Sequence, residues 1–202
     1  MATPPDVDSS TDRQDDDFDG LTFEIVEEEQ TQKGRRVRSR GIYLLPNAIT
    51  TAALLSGFYS IIASTNGHYE KAIYAIFLAA LLDGLDGRAA RMLNAQSPFG
   101  EQFDSLSDML SFGVAPAMLV YSWALAPLGR VGLACAFIFT ACAAFRLARF
   151  NVQIGVIDKR FFNGLPSPAA AAVIAGFVLL MDDLDIEGED VAWWAFAVTL
   201  VA

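Results

Sequence analysis

The sequence predicts an all-α integral membrane protein: a bundle of about six transmembrane helices, the last of them incomplete. Three observations carry this. Of the 202 residues 53% are apolar and the mean hydropathy is +0.36, high for a soluble domain of this size. The apolar residues gather in six runs separated by short polar connections. Most of the basic residues flank one set of alternating run ends, as a membrane with an inside face requires.

Residues 1–43 are expected to be an acidic, disordered tail that ends in a basic juxtamembrane segment. Residues 1–30 hold 11 of the 24 acids, include Pro4 and Pro5, and contain no apolar stretch able to serve as a cleavable signal. The basic cluster Lys33–Arg40 then stands directly before the first run, where a cytoplasmic flank is expected. The net charge of -10, with six further acids in Asp182–Asp190, disfavours nucleic acid as a partner. With only three lysines, the acidity also suits a high-salt cytoplasm.

Residues 44–202 are expected to be the transmembrane domain. Its runs are Leu44–Ser64, Ala72–Arg91, Gln102–Ala126, Val131–Phe150, Ser167–Met181 and Val191–Ala202. At about 1.5 Å per residue the first four can cross a hydrocarbon core of about 30 Å, and the fifth is marginal. The sixth has 12 residues and reaches only about 18 Å, so the chain is expected to continue beyond Ala202. Arg88, Arg91, Arg146, Arg149, Lys159 and Arg160 fall on the same side as Lys33–Arg40, which puts the N-terminus and the turn at Ser97-Pro98 in the cytoplasm. The opposite connections, Thr65–Lys71, Ala126–Arg130 and Asp182–Asp190, carry only Lys71 and Arg130. Cys135 and Cys142 lie about 10 Å apart along one helix face, too far for a disulfide, and are read as packing residues. His68 is read as a solvated residue of an outer connection, and Trp193-Trp194 as part of an interfacial belt.

The chemistry gathers in Asp83–Asp108. On a helix, Asp83, Asp86 with Gly87, Ala90 and Arg91 recur at i, i+3/i+4, i+7 and i+8 and share a face; Gly100, Asp104 and Asp108 do so on the next helix. Two antiparallel neighbours can therefore aim four carboxylates at one volume, part of it at membrane depth. Four ionised Asp there repel one another and are poorly solvated unless cations neutralise them, and two nearby Arg are too few. Oxygen ligands without His or Cys suit Mg²⁺, Mn²⁺ or Ca²⁺, and paired ions of this kind clamp phosphate oxygens during in-line displacement. Gly84, Gly87 and Gly100, with Ala89 and Ala90, leave space beside the carboxylates, and Arg91 offers a fork for phosphate. Intramembrane carboxylates also mark ion paths, so a divalent-cation transporter is the alternative from another class.

The order D-x2-D-G-x2-A-R-x8-G-x3-D-x3-D, from Asp83 to Asp108, resembles the signature of the CDP-alcohol phosphotransferase family at all eight fixed positions. That resemblance implies a bundle of at least six transmembrane helices, often a homodimer, with a cytoplasmic active site. It implies Asp83, Asp86 and Asp104 as ligands of two Mg²⁺ or Mn²⁺ ions, with Ca²⁺ a non-productive occupant. It makes Asp108 both a ligand and the general base, and lines the CDP site with Gly87, Ala90, Arg91 and Gly100.

The acceptor rests on further marks. Members resembling phosphatidylglycerophosphate synthases would carry Pro after the third Asp and Lys after the fourth, where this chain has Ser105 and Met109. The stretches Asp104–Ala117, Phe145–Asn151 and Phe162–Pro168 are instead similar to the phosphatidylserine synthase branch, and with Pro46–Thr50 the likeness runs from about residue 44 to 182. It implies transfer of a phosphatidyl-type group from CDP-diacylglycerol or CDP-archaeol to L-serine, with release of CMP. Glycerol 3-phosphate or an inositol phosphate is the alternative acceptor. Asn47 and Thr50 are candidates for the nucleotide site or for capping the first helix. Arg146 and Arg149 are candidates for the serine carboxylate or a lipid phosphate, or for snorkelling flank residues.

Overall fold

The computed structural model describes residues 44–93, 97–153 and 166–202. The expected tail with Lys33–Arg40, and the connection holding Lys159, Arg160 and Phe162–Leu165, lie outside the described residues. The rest is a bundle of six helices: α1 Leu44–Thr65, α2 Tyr69–Met92, α3 Pro98–Leu128, α4 Arg130–Gln153, α5 Ser167–Asp183 and α6 Ala192–Val201. Among the described residues no strand is present. Each helix coincides with one of the expected apolar runs. Three of them, α1, α3 and α4, are long and apolar enough to cross a membrane. In α2 the length is there, but Glu70, Lys71, Asp83, Asp86, Arg88 and Arg91 interrupt its apolar character.

Small residues bring α1 and α2 together. Ser56 Oγ donates to Ala75 O at 2.8 Å and Ser60 Oγ to Ala72 O at 2.9 Å, an order that makes the two helices antiparallel. Buried Ala53, Ala63, Ala72 and Ala79 leave little side chain between the backbones, the means by which helices pack closely in lipid. The contact of α1 with α3 is closer still. A Cβ at Gly57 would come within 2.9 Å of Ser111 Cα, so only glycine fits there. Ile73, Ile76, Phe112, Leu119, Val120, Ile174 and Val178 fill the centre, whereas Leu55, Phe58, Leu81, Phe137 and Val173 point outward, as lipid-facing residues do.

The third helix begins four residues before the expected run. Ser97 caps it by accepting the Gly100 N–H at 3.0 Å, and Pro98 occupies the first turn, where its missing N–H costs nothing. Over Met109–Val114 and again over Tyr121–Leu125 the backbone widens: Ala115 N–H reaches Leu110 O, and Ala126 N–H reaches Tyr121 O. Each widening ends just before a proline, Pro116 and Pro127. A proline cannot donate to the preceding turn and its ring crowds the carbonyl four residues back, so the extra residue in the turn relieves both problems without breaking the helix.

At the far end of the bundle Tyr69 Oη donates to Ser122 O at 3.0 Å, and Gly188 packs on the Trp123 carbonyl more closely than any side chain would permit. His68 is exposed there, its Nδ1 3.0 Å from Asn66 O. Cys135 is buried and Cys142 exposed, both as free thiols. Trp193 and Trp194 stand out from α6.

Candidate functional site

The opposite end gathers the starts of α1, α3 and α5 with the ends of α2 and α4. Cross-helix polar contacts define it: Thr50 on Asp86, Ser105 Oγ on Asn151 Oδ1 at 3.1 Å, and Arg146 on Ser167. Every described residue of the expected cytoplasmic basic set, Arg88, Arg91, Arg146 and Arg149, sits on the helix ends that meet here. Lys71 and Arg130 begin helices at the other end.

Asp83 lies 14 residues into α2, about 21 Å from its start. Asp104 and Asp108 sit one turn apart on α3, so their side chains stack on one face. Oxygens of Asp83, Asp104 and Asp108 all lie within 4.8 Å of one another. Asp86 stands beside this group rather than in it. It is only 4% exposed, and its Oδ2 accepts a hydrogen bond of 2.7 Å from the buried Thr50 Oγ1. Thr50 Oγ1 is also 3.1 Å from Pro46 O within its own helix, but its single proton is best used on the shorter, charged contact.

Three half-buried carboxylates so close together demand positive charge, and the nearby Arg side chains are turned elsewhere. Arg91 is exposed and folds back along α2, its Nε donating to Gly87 O at 2.9 Å. Arg88 and Arg149 are exposed as well. Among the described residues, Asp104 Oδ1 is buried without a hydrogen-bond partner. A buried carboxylate oxygen left unsatisfied is costly, and a cation is the partner that removes both the cost and the repulsion. The donor set is oxygen only, which fits a hard divalent ion. The residues present therefore fit a metal.

Around the carboxylates the remaining candidates fall into two groups. A Cβ at Gly84 or Gly87 would meet nothing within 4 Å, so the α2 surface there is open. Gly100 is more confined: a Cβ would lie 3.2 Å from Ser97 Oγ and 3.5 Å from Asn47 Oδ1, which puts Asn47 against the start of α3. Ala90 is half-buried on the same helix as Asp83 and Asp86. The hydroxyls of Ser107 and Ser111, each 3.4 Å from a carbonyl of α1, fix the face of α3 that bears Asp104 and Asp108. Those two serines, and Ser167, lie in the stretches that carry the likeness to the phosphatidylserine synthase branch, but none of them was singled out as a site residue from the sequence.

Residues 43–202 match the sequence profile of the CDP-alcohol phosphatidyltransferase family. A CDP-diacylglycerol–serine O-phosphatidyltransferase of Helicobacter pylori is 40% identical over 139 residues, covering 69% of this chain and 59% of that protein. One of the same name from Mycobacterium leprae is 38% identical over 157 residues, 74% of this chain and 51% of the relative. An archaetidylserine synthase of Methanothermobacter thermautotrophicus is 39% identical over 137 residues, 67% of this chain and 58% of the relative. The chain thus spans between about half and three fifths of the length of these curated relatives.

Proposed function

Because the chain belongs to the CDP-alcohol phosphatidyltransferase family, we propose that it transfers a phosphatidyl-type group from a CDP-linked lipid to L-serine and releases CMP. The observation that carries this reading is the convergence of Asp83, Asp104 and Asp108 from two helices, with a buried oxygen of Asp104 that no described residue partners. The relatives that act on serine supply the acceptor, and one of them, an archaetidylserine synthase, leaves the lipid tails open between CDP-diacylglycerol and CDP-archaeol.

In this reading Asp83, Asp86, Asp104 and Asp108 would hold Mg²⁺ or Mn²⁺, with two ions expected. A metal bound there would supply positive charge to the pyrophosphate oxygens and to the departing CMP. The chain's own part is positional and acid–base. The open α2 surface at Gly84 and Gly87 admits the nucleotide, and Ala90, Arg91, Gly100 and Asn47 border it. Thr50 reaches the site only through Asp86, as a positioning residue rather than a nucleotide ligand. Asp108 accepts the proton of the serine hydroxyl as its oxygen bonds to the lipid-bearing phosphorus, and the bond from that phosphorus to the bridging oxygen of CMP breaks. Both lipid tails remain between helices and bilayer. The basic flanks put this end of the bundle in the cytoplasm, and pairing of two copies belongs to the same reading.

The test is product identity. Purified protein given CDP-diacylglycerol or CDP-archaeol, Mg²⁺ or Mn²⁺ and labelled L-serine should release CMP and form a serine-containing lipid in equal amounts. CMP release that requires glycerol 3-phosphate or an inositol phosphate instead would move the acceptor. Cation flux without any nucleotide would move the protein to another class.

A further inference from the structure

Two turns of α3 are wide, and only one of them adjoins the carboxylates. Met109–Val114 starts at the residue after Asp108, whereas Tyr121–Leu125 begins about 20 Å further along the helix. A wide turn takes in one residue more than the helix period allows, so it rotates the stretch before it by about 100° relative to the stretch after it. Both stretches are tied. After the turn Ala115, Leu119, Val120, Ala124 and Leu125 are at most 1% exposed, and Pro116 is fully buried among them. Towards the site the ties are two hydroxyls, Ser107 Oγ on Thr50 O and Ser111 Oγ on Ala53 O, each at 3.4 Å. The turn itself is gripped between α1 and α4: Ser111 rests on Gly57, and a Cβ at Gly113 would lie 3.3 Å from Ala143 Cβ and 3.1 Å from Met109 Sδ. Thr140 Oγ1 is 3.4 Å from Gly113 O, but its nearer acceptor, at 3.0 Å, is Ala136 O of its own helix.

From this arrangement we infer that Pro116 is a positioning residue for the proposed transfer: it keeps the turn at Met109–Val114 wide, and the wide turn aims Asp104 and Asp108 at Asp83. The inference rests on the reading of those carboxylates above. Pro116 has no N–H with which to close an ordinary turn. With a donor at this position the turn is free to tighten to the normal helix period, and one side of it must then rotate. Two long hydrogen bonds yield more readily than a set of fully buried side chains, so the stretch that bears the carboxylates is the one that moves. At a Cα radius of about 2.3 Å, a full rotation of about 100° carries the Asp108 Cα about 3.5 Å sideways. A cluster whose oxygens lie within 4.8 Å of one another does not survive a displacement of that size. Even about 1 Å of misplacement costs about 10²-fold in rate. Pro127 widens its own turn in the same way, but no carboxylate of the cluster stands next to that turn.

The experiment compares wild type, Pro116→Ala, Gly113→Ala and Pro127→Ala, each as the full chain in detergent. Three quantities are read on every preparation: the thermal midpoint without metal, the Mn²⁺ concentration that half-saturates CDP-lipid binding, and serine-dependent CMP release. Pro116→Ala regains a backbone donor and leaves only a small void, so its metal-free midpoint should stay within a few degrees of wild type. Its half-saturating Mn²⁺ concentration should nevertheless rise about 10- to 100-fold, and CMP release should fall about a hundredfold. Excess Mn²⁺ should recover the binding and only part of the rate. Gly113→Ala presses on the wide turn from the side of α4 and should move both quantities in the same direction by less. Pro127→Ala should leave both within a few-fold of wild type. An unchanged Mn²⁺ requirement in folded Pro116→Ala overturns the inference alone, and so does an equal effect of Pro127→Ala. If Pro116→Ala does not fold, Gly113→Ala decides, and an unchanged Mn²⁺ requirement there overturns the inference. Asp104→Asn and Asp108→Asn that bind Mn²⁺ and release CMP as wild type does would remove the reading of the carboxylates, and this inference with it.

Discussion

Replacing Thr50 by Val should weaken metal binding without unfolding the bundle. The two side chains have nearly the same shape, so the 5% exposed position stays filled and only the hydroxyl is lost. What disappears is the 2.7 Å hydrogen bond to Asp86 Oδ2, in a place where Asp86 is itself 4% exposed and water cannot substitute. A hydrogen bond to a charged group contributes about 1.5–3 kcal/mol, and groups that orient a metal ligand typically control affinity by about 10- to 100-fold. The concentration of Mg²⁺ or Mn²⁺ that half-saturates CDP-lipid binding should therefore rise about 10- to 100-fold. Thr50→Ser keeps the donor and should stay within a few-fold of wild type. Calorimetric titration of the metal in the presence of CDP-lipid reads the effect, with the thermal midpoint of each variant as the control. If Thr50→Val left the half-saturating metal concentration unchanged, Asp86 would need no positioning from α1, and its part in the metal site would lose its main structural support.

Other outcomes follow from the same structure. Asp83→Asn and Asp104→Asn should each abolish most metal-dependent CDP-lipid binding while the protein stays folded, because a shared site loses a charge and a ligand together; near-normal binding in both would displace the site. Gly57→Leu should lower the thermal midpoint sharply, since even a Cβ would lie 2.9 Å from Ser111 Cα and α1 and α3 must separate; overpacking of this kind costs about 1–3 kcal/mol or more. In a variant lacking Cys135 and Cys142, a single cysteine in the Asp182–Asp190 connection should react only from outside the cell, and reaction only from the cytoplasm would invert the orientation.

Much of the bundle was legible because lipid imposes a simple rule: a run of about 20 apolar residues becomes a helix, and the breaks become connections. The spacing of Asp104 and Asp108 by four also fixed their common face, since that follows from the helix period alone. What could not be read was whatever depends on which helix packs beside which. Thr50 looked like a cap or a nucleotide contact, and only the antiparallel packing of α1 on α2 reveals that it faces Asp86. Arg146 and Arg149 are three apart and alike in sequence, yet one turns to Ser167 and the other stays exposed. The widened turns of α3 left a trace in Pro116 and Pro127, but a proline in an apolar helix is equally compatible with a kink, and the backbone alone shows which relief was used.

The central claim is that the convergent carboxylates carry out the transfer, with Asp108 taking the proton, and paired measurements on Asp108→Asn test it most directly. A base in this position contributes about 10²–10⁴-fold to rate. Metal-dependent CDP-lipid binding to Asp108→Asn should stay within about tenfold of wild type, while serine-dependent CMP release on the same preparation falls by at least about a hundredfold. Serine-dependent CMP release that survives the substitution, or CDP-lipid binding lost as fully as in Asp104→Asn, would contradict the claim.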